Sequence, residues 1–316
     1  MEQNWERTLP FINIDVNTAE VLFEGVLENT PIKKISSISE GCRTTNYIVN
    51  TENKNYLLKI FFSNEQNYKK EVMLLNRLRE DKINVQGIYK ISRSKVIEGR
   101  EFGIYEYVDG ISLGKYLSEG NKIDKNFIRS IAKALAKIHS YKFKRAGFFN
   151  EDLEVVNVVP PLREWYYAFL NENARNRLGT DNVKKITMVV NKHLDILDEL
   201  DKDIRLVHGD FQGTNILIKD SKLGCILDWE FSMAGHPLAD IGQFFRYDQY
   251  YNQDLIKEFE REYRKYSDYM LVEDWYKLSK LRDMANLIQL MGMNQHMPNK
   301  FSDIKKVIER SLEILL

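Results

Sequence analysis

His208-Gly209-Asp210-Phe211-Gln212-Gly213-Thr214-Asn215 is followed, after a short hairpin, by Ile226-Leu227-Asp228-Trp229-Glu230. Short apolar runs, RLVH, NILI and GCILDW, alternate with polar loops here, which predicts strands whose ends carry Asp210, Asn215 and Asp228. Asp210 and Asn215 share one loop, and Asp228 lies 18 residues beyond Asp210 (228 minus 210), across a two-strand turn. Oxygen side chains on rigid strand ends suit a hard cation such as Mg²⁺, which takes few carboxylates and fills its other positions with phosphate and water. A carboxylate left over beside such a metal can orient and deprotonate an attacking hydroxyl. The plain alternative is that these residues only cap turns, where Asp and Asn are favoured anyway.

Upstream of this insertion the hydrophobic period changes along the chain. TAEVLFEGVLEN predicts a short helix with Thr18 as its N-cap. IKKISSIS, NYIV and NYLLKIF then predict three antiparallel strands between residues 33 and 61, with Glu40-Gly41 and ENKN as turns. A helix from about Asn64 to Arg79 and two strands, around VQGIYKI and FGIYEYV, complete a small lobe by residue 108. Asp109-Gly110 marks a turn, and beyond it helical spacing dominates, as in Ile131, Leu135 and Ile138. The expectation is an α+β chain of two lobes, a β-rich one over 1–108 and a mainly helical one over 109–316.

The small lobe carries its own chemistry. Lys59 sits on an otherwise apolar strand, on the face of Leu57 and Phe61 by the two-residue period. On the next helix Glu71 falls within an apolar stripe of Tyr68, Leu74, Leu75 and Leu78, a costly place for a carboxylate unless it is paired. Lys59 is its nearest candidate partner in sequence order, and such a pair would hold the ammonium within reach of nucleotide phosphates. The alternative is that Lys59 snorkels to water and Glu71 turns away at the helix edge. The hairpin SISEGCRTTNYIV ends in small and polar residues, so the backbone N–H groups of Gly41 and Cys42 are candidates to fold over phosphates. With one glycine this tip does not match the G-x-G-x-x-G pattern.

Composition bounds the partners. The 316 residues carry 46 Lys plus Arg against 46 Asp plus Glu, which argues against a nucleic-acid coat or a polybasic membrane binder. At 43% hydrophobic the chain has ample material for a core, and its two cysteines, Cys42 and Cys225, make neither a disulfide framework nor a metal motif. MEQNWERTLPFINID does not read as a secretory signal, and no run approaches the roughly 18 apolar residues of a membrane span. The expectation is a cytoplasmic protein, monomer or dimer, with no nucleic-acid or membrane partner.

HGDFQGTN and ILDWE, ordered behind a strand lysine and a helix glutamate, resemble the aminoglycoside phosphotransferases and their relatives with the protein-kinase-like fold, over roughly residues 33 to 250. By that resemblance Asp210 is the catalytic aspartate and Asn215 and Asp228 are magnesium ligands. Lys59 holds the α- and β-phosphates of ATP or GTP, with Glu71 as its partner. The backbone of Glu106 and Val108, in YEYVDG, meets the nucleotide base, Asp240 braces the catalytic loop, and His208 supports the loop rather than carrying a proton. Protein kinases read His-Arg-Asp and Asp-Phe-Gly at these places and need an activation segment, for which FSMAGHPL leaves no room. A nucleotide-binding pseudokinase is the alternative from outside enzymology.

The resemblance implies phosphoryl transfer to a hydroxyl of a small cationic acceptor, aminoglycoside-type, with choline, ethanolamine, homoserine or methylthioribose as alternatives. Residues 240 to 285 hold ten acidic side chains and aromatics such as Phe244, Phe245, Tyr263 and Trp275. Clustered carboxylates would suit a polyamine sugar, and an aromatic box would suit a quaternary ammonium.

Overall fold

Residues 5–28, 30–38, 43–62 and 68–316 are described by a computed structural model. Strands β1 (Lys34–Ile38), β2 (Thr45–Asn50), β3 (Asn55–Ile60), β4 (Ile88–Ser94) and β5 (Arg100–Glu106) form one antiparallel sheet in the order β1-β2-β3-β5-β4. The two-residue period sorts β3 between two cores. Leu58 and Ile60 pack with Ala19 and Leu22 of helix α1 (Val16–Leu22), while Leu57 and Phe61 join Leu74, Leu75 and Leu78 of α2 (Tyr68–Glu80).

One expected cap moves. Asp15, not Thr18, caps α1, because its Oδ1 accepts from the Thr18 backbone N–H at 2.8 Å and places the carboxylate at the positive end of the helix. The start of α2 expected near Asn64 lies outside the described residues, as do Glu40, Gly41 and Cys42.

After β5 the chain changes sheet: β6 (Ile111–Ser112) pairs with β11 (Ile216–Lys219), which pairs with β12 (Lys222–Ile226). A third sheet joins β7 (Lys142–Phe143), β10 (Ile204–Val207), β13 (Met233–Gly235), β8 (Gly147–Phe149) and β9 (Val155–Val158). The remainder is helical: α3 (Leu113–Ser118), α4 (Lys125–Ile138), α5 (Leu162–Phe169), α6 (Glu172–Leu178), α7 (Thr180–Lys192) and α8 (Leu194–Leu200) precede the β10–β13 segment. After it come α9 (Leu238–Phe244), α10 (Gln253–Tyr266), α11 (Trp275–Met291) and α12 (Pro298–Leu315). The larger of the two hydrophobic cores runs from Leu57 of β3 through α4, α9 and α11 to Leu315, so one face of the first sheet shares packing with the helices. Among the described residues no helix is long and apolar enough to cross a membrane.

Candidate active site

The site is built on the loop leaving β10. Asp240 of α9 accepts from the backbone N–H groups of His208 at 2.8 Å and Gly209 at 3.0 Å. Gln243, on the same helix face, accepts from Phe211 N at 2.6 Å and donates to Gly209 O at 2.8 Å. Together they satisfy backbone groups that no sheet reaches, which fixes the loop. Gly209 has φ +82, and a Cβ there would stand 2.4 Å from the Phe231 carbonyl oxygen, so this close crossing of two loops needs glycine.

His208 is fully committed. Its Nε2 donates to Leu227 O at 2.7 Å and its Nδ1 accepts from Asp210 N at 3.2 Å. A carbonyl can only accept and an amide N–H can only donate, so the imidazole is held as the Nε2–H form and serves as a tie between the two loops.

Asp210 follows directly. Its Oδ2 accepts from Asn215 Nδ2 at 2.8 Å and from Gln212 Nε2 at 3.3 Å. Burial pushes this carboxyl above the ordinary aspartate range, against the pull of Arg246. Arg246 is itself held by both oxygens of Asp283, at 2.9 and 2.8 Å, and donates to Gln212 Oε1 at 2.9 Å. Sequence reasoning gave no role to Gln212, Gln243 or Arg246, because nothing local in their surroundings distinguishes them from other polar helix and loop residues.

Asn215 sits in a short 3₁₀ turn, Gly213–Asn215, and gives its amide hydrogens to the Asp210 carbonyl at 2.9 Å as well as to its carboxylate. The side-chain oxygen of Asn215 is thereby left for another partner. Asp228 ends the β12 segment in the left-handed region, φ 56 and ψ 69, an unusual backbone for a non-glycine residue that turns its carboxylate toward β3. It forms an ion pair with Lys59, whose side chain is only 4% exposed. Burial opposes the Asp228 charge, but the ammonium more than offsets it and holds the acid below its ordinary range. The free Asn215 oxygen and the outer side of the Asp228 carboxylate are hard oxygen donors of the kind Mg²⁺ takes alongside phosphate.

The lysine differs from its sequence reading in one respect. Its ion pair is with Asp228, whereas Glu71 accepts a 3.4 Å hydrogen bond from the Tyr105 hydroxyl and acts on Lys59 through its field. Burial pushes Glu71 up, and the nearby Lys59 charge only partly counters this. The Tyr105 ring lies 4.8 Å from the Lys59 ammonium and crosses Gly103, where a Cβ would meet the ring at 2.4 Å. Lys70 of α2 donates to the carbonyls of Glu230 at 3.0 Å and Ser232 at 3.1 Å, fastening the helix to the loop after Asp228. Glu230 lines the cleft, and burial beside Asp228 pushes it up to about 7.

Lys59, Asp210, Asn215 and Asp228 line one cleft of about 1210 Å³, large enough for a nucleotide and a second small molecule. Glu71, Glu106 and Val108 stand outside its wall. The Glu106 backbone is already engaged, since its N–H donates to Gly87 O at 2.8 Å and its carbonyl accepts from Gln86 Nε2 at 3.0 Å. Gln86 does line the cleft.

The expected acceptor features lie elsewhere in the fold. None of the ten acidic side chains between 240 and 285 lines the cleft. Phe244, Phe245, Tyr263 and Trp275 are buried in the core, where Phe245 and Phe259 meet edge-on at 5.0 Å, because helical spacing turned them inward between α9, α10 and α11. The helical wall instead presents Trp165 and Phe169 of α5 and Arg282, Asn286 and Gln289 of α11.

The chain is similar to known proteins to different extents. The chain is 28% identical over 158 residues to acyl-CoA dehydrogenase family member 11 of Mus musculus, covering 47% of this chain and 19% of that protein. The Pongo abelii protein of the same name is 42% identical over 50 residues, 15% of this chain and 6% of the relative. The chain thus corresponds to a minor part of these relatives' length. Among solved structures, a thermostable mutant of aminoglycoside phosphotransferase APH(4)-Ia in ternary complex with AMP-PNP and hygromycin B superposes with TM-score 0.69 at 14% identity, covering 95% of this chain and 99% of that one. Choline kinase LicA from Streptococcus pneumoniae gives TM-score 0.64 at 18% identity, with coverage of 94% and 99%. Both share the two-lobed fold. Residues 34–278 match the phosphotransferase enzyme family, and the chain belongs to it.

Proposed function

We propose that the protein transfers the γ-phosphoryl group of ATP or GTP to a hydroxyl of a small molecule bound in the same cleft. The observation that carries this reading is the convergence of Lys59, Asp210, Asn215 and Asp228, from three separate chain segments, on one cleft. Asp210 accepts the hydroxyl proton as the acceptor oxygen bonds to phosphorus and the bond to the β,γ-bridging oxygen breaks. Lys59, desolvated and oriented by Asp228 and the Tyr105 ring, donates to phosphate oxygens. Asn215 and Asp228 would hold Mg²⁺, which would neutralise phosphate charge there. Asp240 and Gln243 keep the Asp210 loop rigid, so that the carboxylate meets the hydroxyl without reorganising. An aminoglycoside-type acceptor has the motif resemblance and the shared fold in its favour, with choline-type acceptors next.

Acceptor-dependent release of nucleoside diphosphate tests the proposal, with ATP and GTP against aminoglycosides, choline, homoserine and methylthioribose, with and without a magnesium chelator. Asp210→Asn is expected to lower turnover of the best acceptor by about 10²- to 10⁴-fold. Unchanged turnover in that variant sinks the assigned role. Nucleotide binding with no acceptor-dependent turnover favours a binding module.

A further inference from the structure

The helical wall of the cleft contains a cation that makes no ion pair among the described residues. Arg282 of α11 is 5% exposed, and its guanidinium makes one long hydrogen bond, to Asn286 Oδ1 at 3.4 Å. The group has five N–H donors, so most of its capacity is unused. It lies 5.0 Å from the centre of the Trp165 ring. Among the described residues it forms no ion pair, since the carboxylates whose fields reach it are engaged elsewhere. Asp283 is held by Arg246, Asp240 by the backbone of His208 and Gly209, and Asp201 Oδ2 by Leu162 N at 2.7 Å. Burial works against the charge, and the fields of Tyr166, Asp283, Asp201 and Asp240 only partly support it.

The remaining donors of this nearly buried guanidinium open on the cleft, and its fork geometry matches a planar or tetrahedral oxyanion. The place in the cleft separates this function from the nucleotide. Lys59 comes from the sheet wall, whereas Arg282 adjoins Asp283, which holds Arg246, which in turn holds Gln212 beside Asp210. Arg282 therefore belongs to the helical wall of the cleft that Asp210 also lines, whereas Lys59 belongs to its sheet wall.

We infer that Arg282, over the ring of Trp165, binds an anionic oxyacid group of the acceptor, a carboxylate or a phosphate ester, so that within the phosphotransferase reading the enzyme selects an anionic hydroxyl compound in place of the cationic acceptor that the motif resemblance favours. The inference rests on the phosphotransferase reading for the identity of the site, but it concerns only the charge of the ligand. It also accounts for the absence of the acidic side chains of 240–285 from the cleft wall.

A matched set of polyols separates the possibilities: glycerate, glycerol 3-phosphate, glyceramide and 3-amino-1,2-propanediol, titrated calorimetrically into the protein loaded with a non-hydrolysable nucleotide. Either anion is expected to bind at least about 10-fold more tightly than the amide and the amine, and the tighter of the two identifies the source of the anion. Arg282→Gln should remove this preference, weakening anion binding by about 30-fold or more, and Arg282→Lys, which keeps the charge without the fork, should retain part of it. Circular dichroism verifies that each variant is folded, and the wild-type preference needs no variant. Equal binding of the four compounds, no binding of either anion, or unchanged anion binding in folded Arg282→Gln overturns the inference. Nucleoside diphosphate release with the acceptor panel is measured in parallel. Turnover without anion preference removes only this inference, whereas anion binding without turnover of any acceptor removes the phosphoryl-transfer reading and leaves the anion site standing.

Discussion

Gly209 joins the stability of the fold to the chemistry of the site, and replacing it by alanine gives a calculable result. Its φ of +82 costs an L-residue about 1–2 kcal/mol. The added Cβ would stand 2.4 Å from Phe231 O and 3.1 Å from Phe231 C, both backbone atoms that cannot rotate away. Overpacking of this kind costs about 1–3 kcal/mol, so Gly209→Ala should lose about 2–5 kcal/mol in total. Gly120 is the internal control, since its φ is +84 and an added Cβ meets nothing within 4 Å. Gly120→Ala should lose the strain alone, about 1–2 kcal/mol, with turnover intact. In Gly209→Ala the loop around Phe231 has to retreat, and it is continuous with Asp228. A displacement of about 1 Å at a reacting group costs about 10²-fold in rate, which is the expected fall in turnover. Urea unfolding followed by fluorescence, with nucleoside diphosphate release on the same samples, measures both. If the two alanine variants matched in stability and in turnover, the steric argument for Gly209 would be refuted.

Two further predictions concern buried lysines. Lys280 is 2% exposed, donates to the Phe245 carbonyl, and is pushed by burial from 10.5 down to about 8. Its folded pKa is below its unfolded one, so the unfolded chain binds more protons between about pH 8 and 10.5; stability should rise with pH through that window, the full cost of about 3 kcal/mol applying below it. Lys280→Met should therefore stabilise the protein by about 2 kcal/mol at pH 7, after about 1 kcal/mol for the lost hydrogen bond, and the gain should vanish toward pH 10.5 in chemical denaturation. A gain independent of pH contradicts the assignment. Lys59→Met should weaken nucleotide binding by about 10- to 100-fold in equilibrium titration, the value of a hydrogen bond to a charged group. Glu71→Gln should have a smaller effect, because Glu71 reaches Lys59 through its field rather than by contact, and an effect equal to that of Lys59→Met would restore the direct pair.

Much of the architecture is local and was legible for that reason. The strand runs at 34–60 and 88–106 show apolar periodicity or continuous burial, and the short runs around Asp210 and Asp228 are bounded by turn residues. The loop spacing of Asp210 and Asn215 is likewise local, since five residues of one 3₁₀-containing loop suffice to bring Asn215 Nδ2 to the Asp210 carboxylate. Helical spacing alone could not tell which face of α10 or α11 meets solvent, the core or the cleft, so the aromatics of 244–275 read first as core, with a binding box as the alternative, and the structure places Phe244, Phe245, Tyr263 and Trp275 in the core. Thr18 was displaced as a cap because Asp15, three residues earlier, has the stronger acceptor in the right place.

Local pattern is enough to give the chemical types and their order: a strand lysine, an acid and an amide on one loop, and a second acid across a hairpin. Which charges meet depends on how the chain packs. Lys59 takes Asp228, 169 positions away, rather than Glu71 on the next helix, because the left-handed backbone of Asp228 aims its carboxylate at β3. Asp283 takes Arg246, in the loop after α9, and leaves Arg282, the adjacent residue, without an ion pair among the described residues. A formal charge of zero conceals that distinction, since it counts charges and not the distances between them.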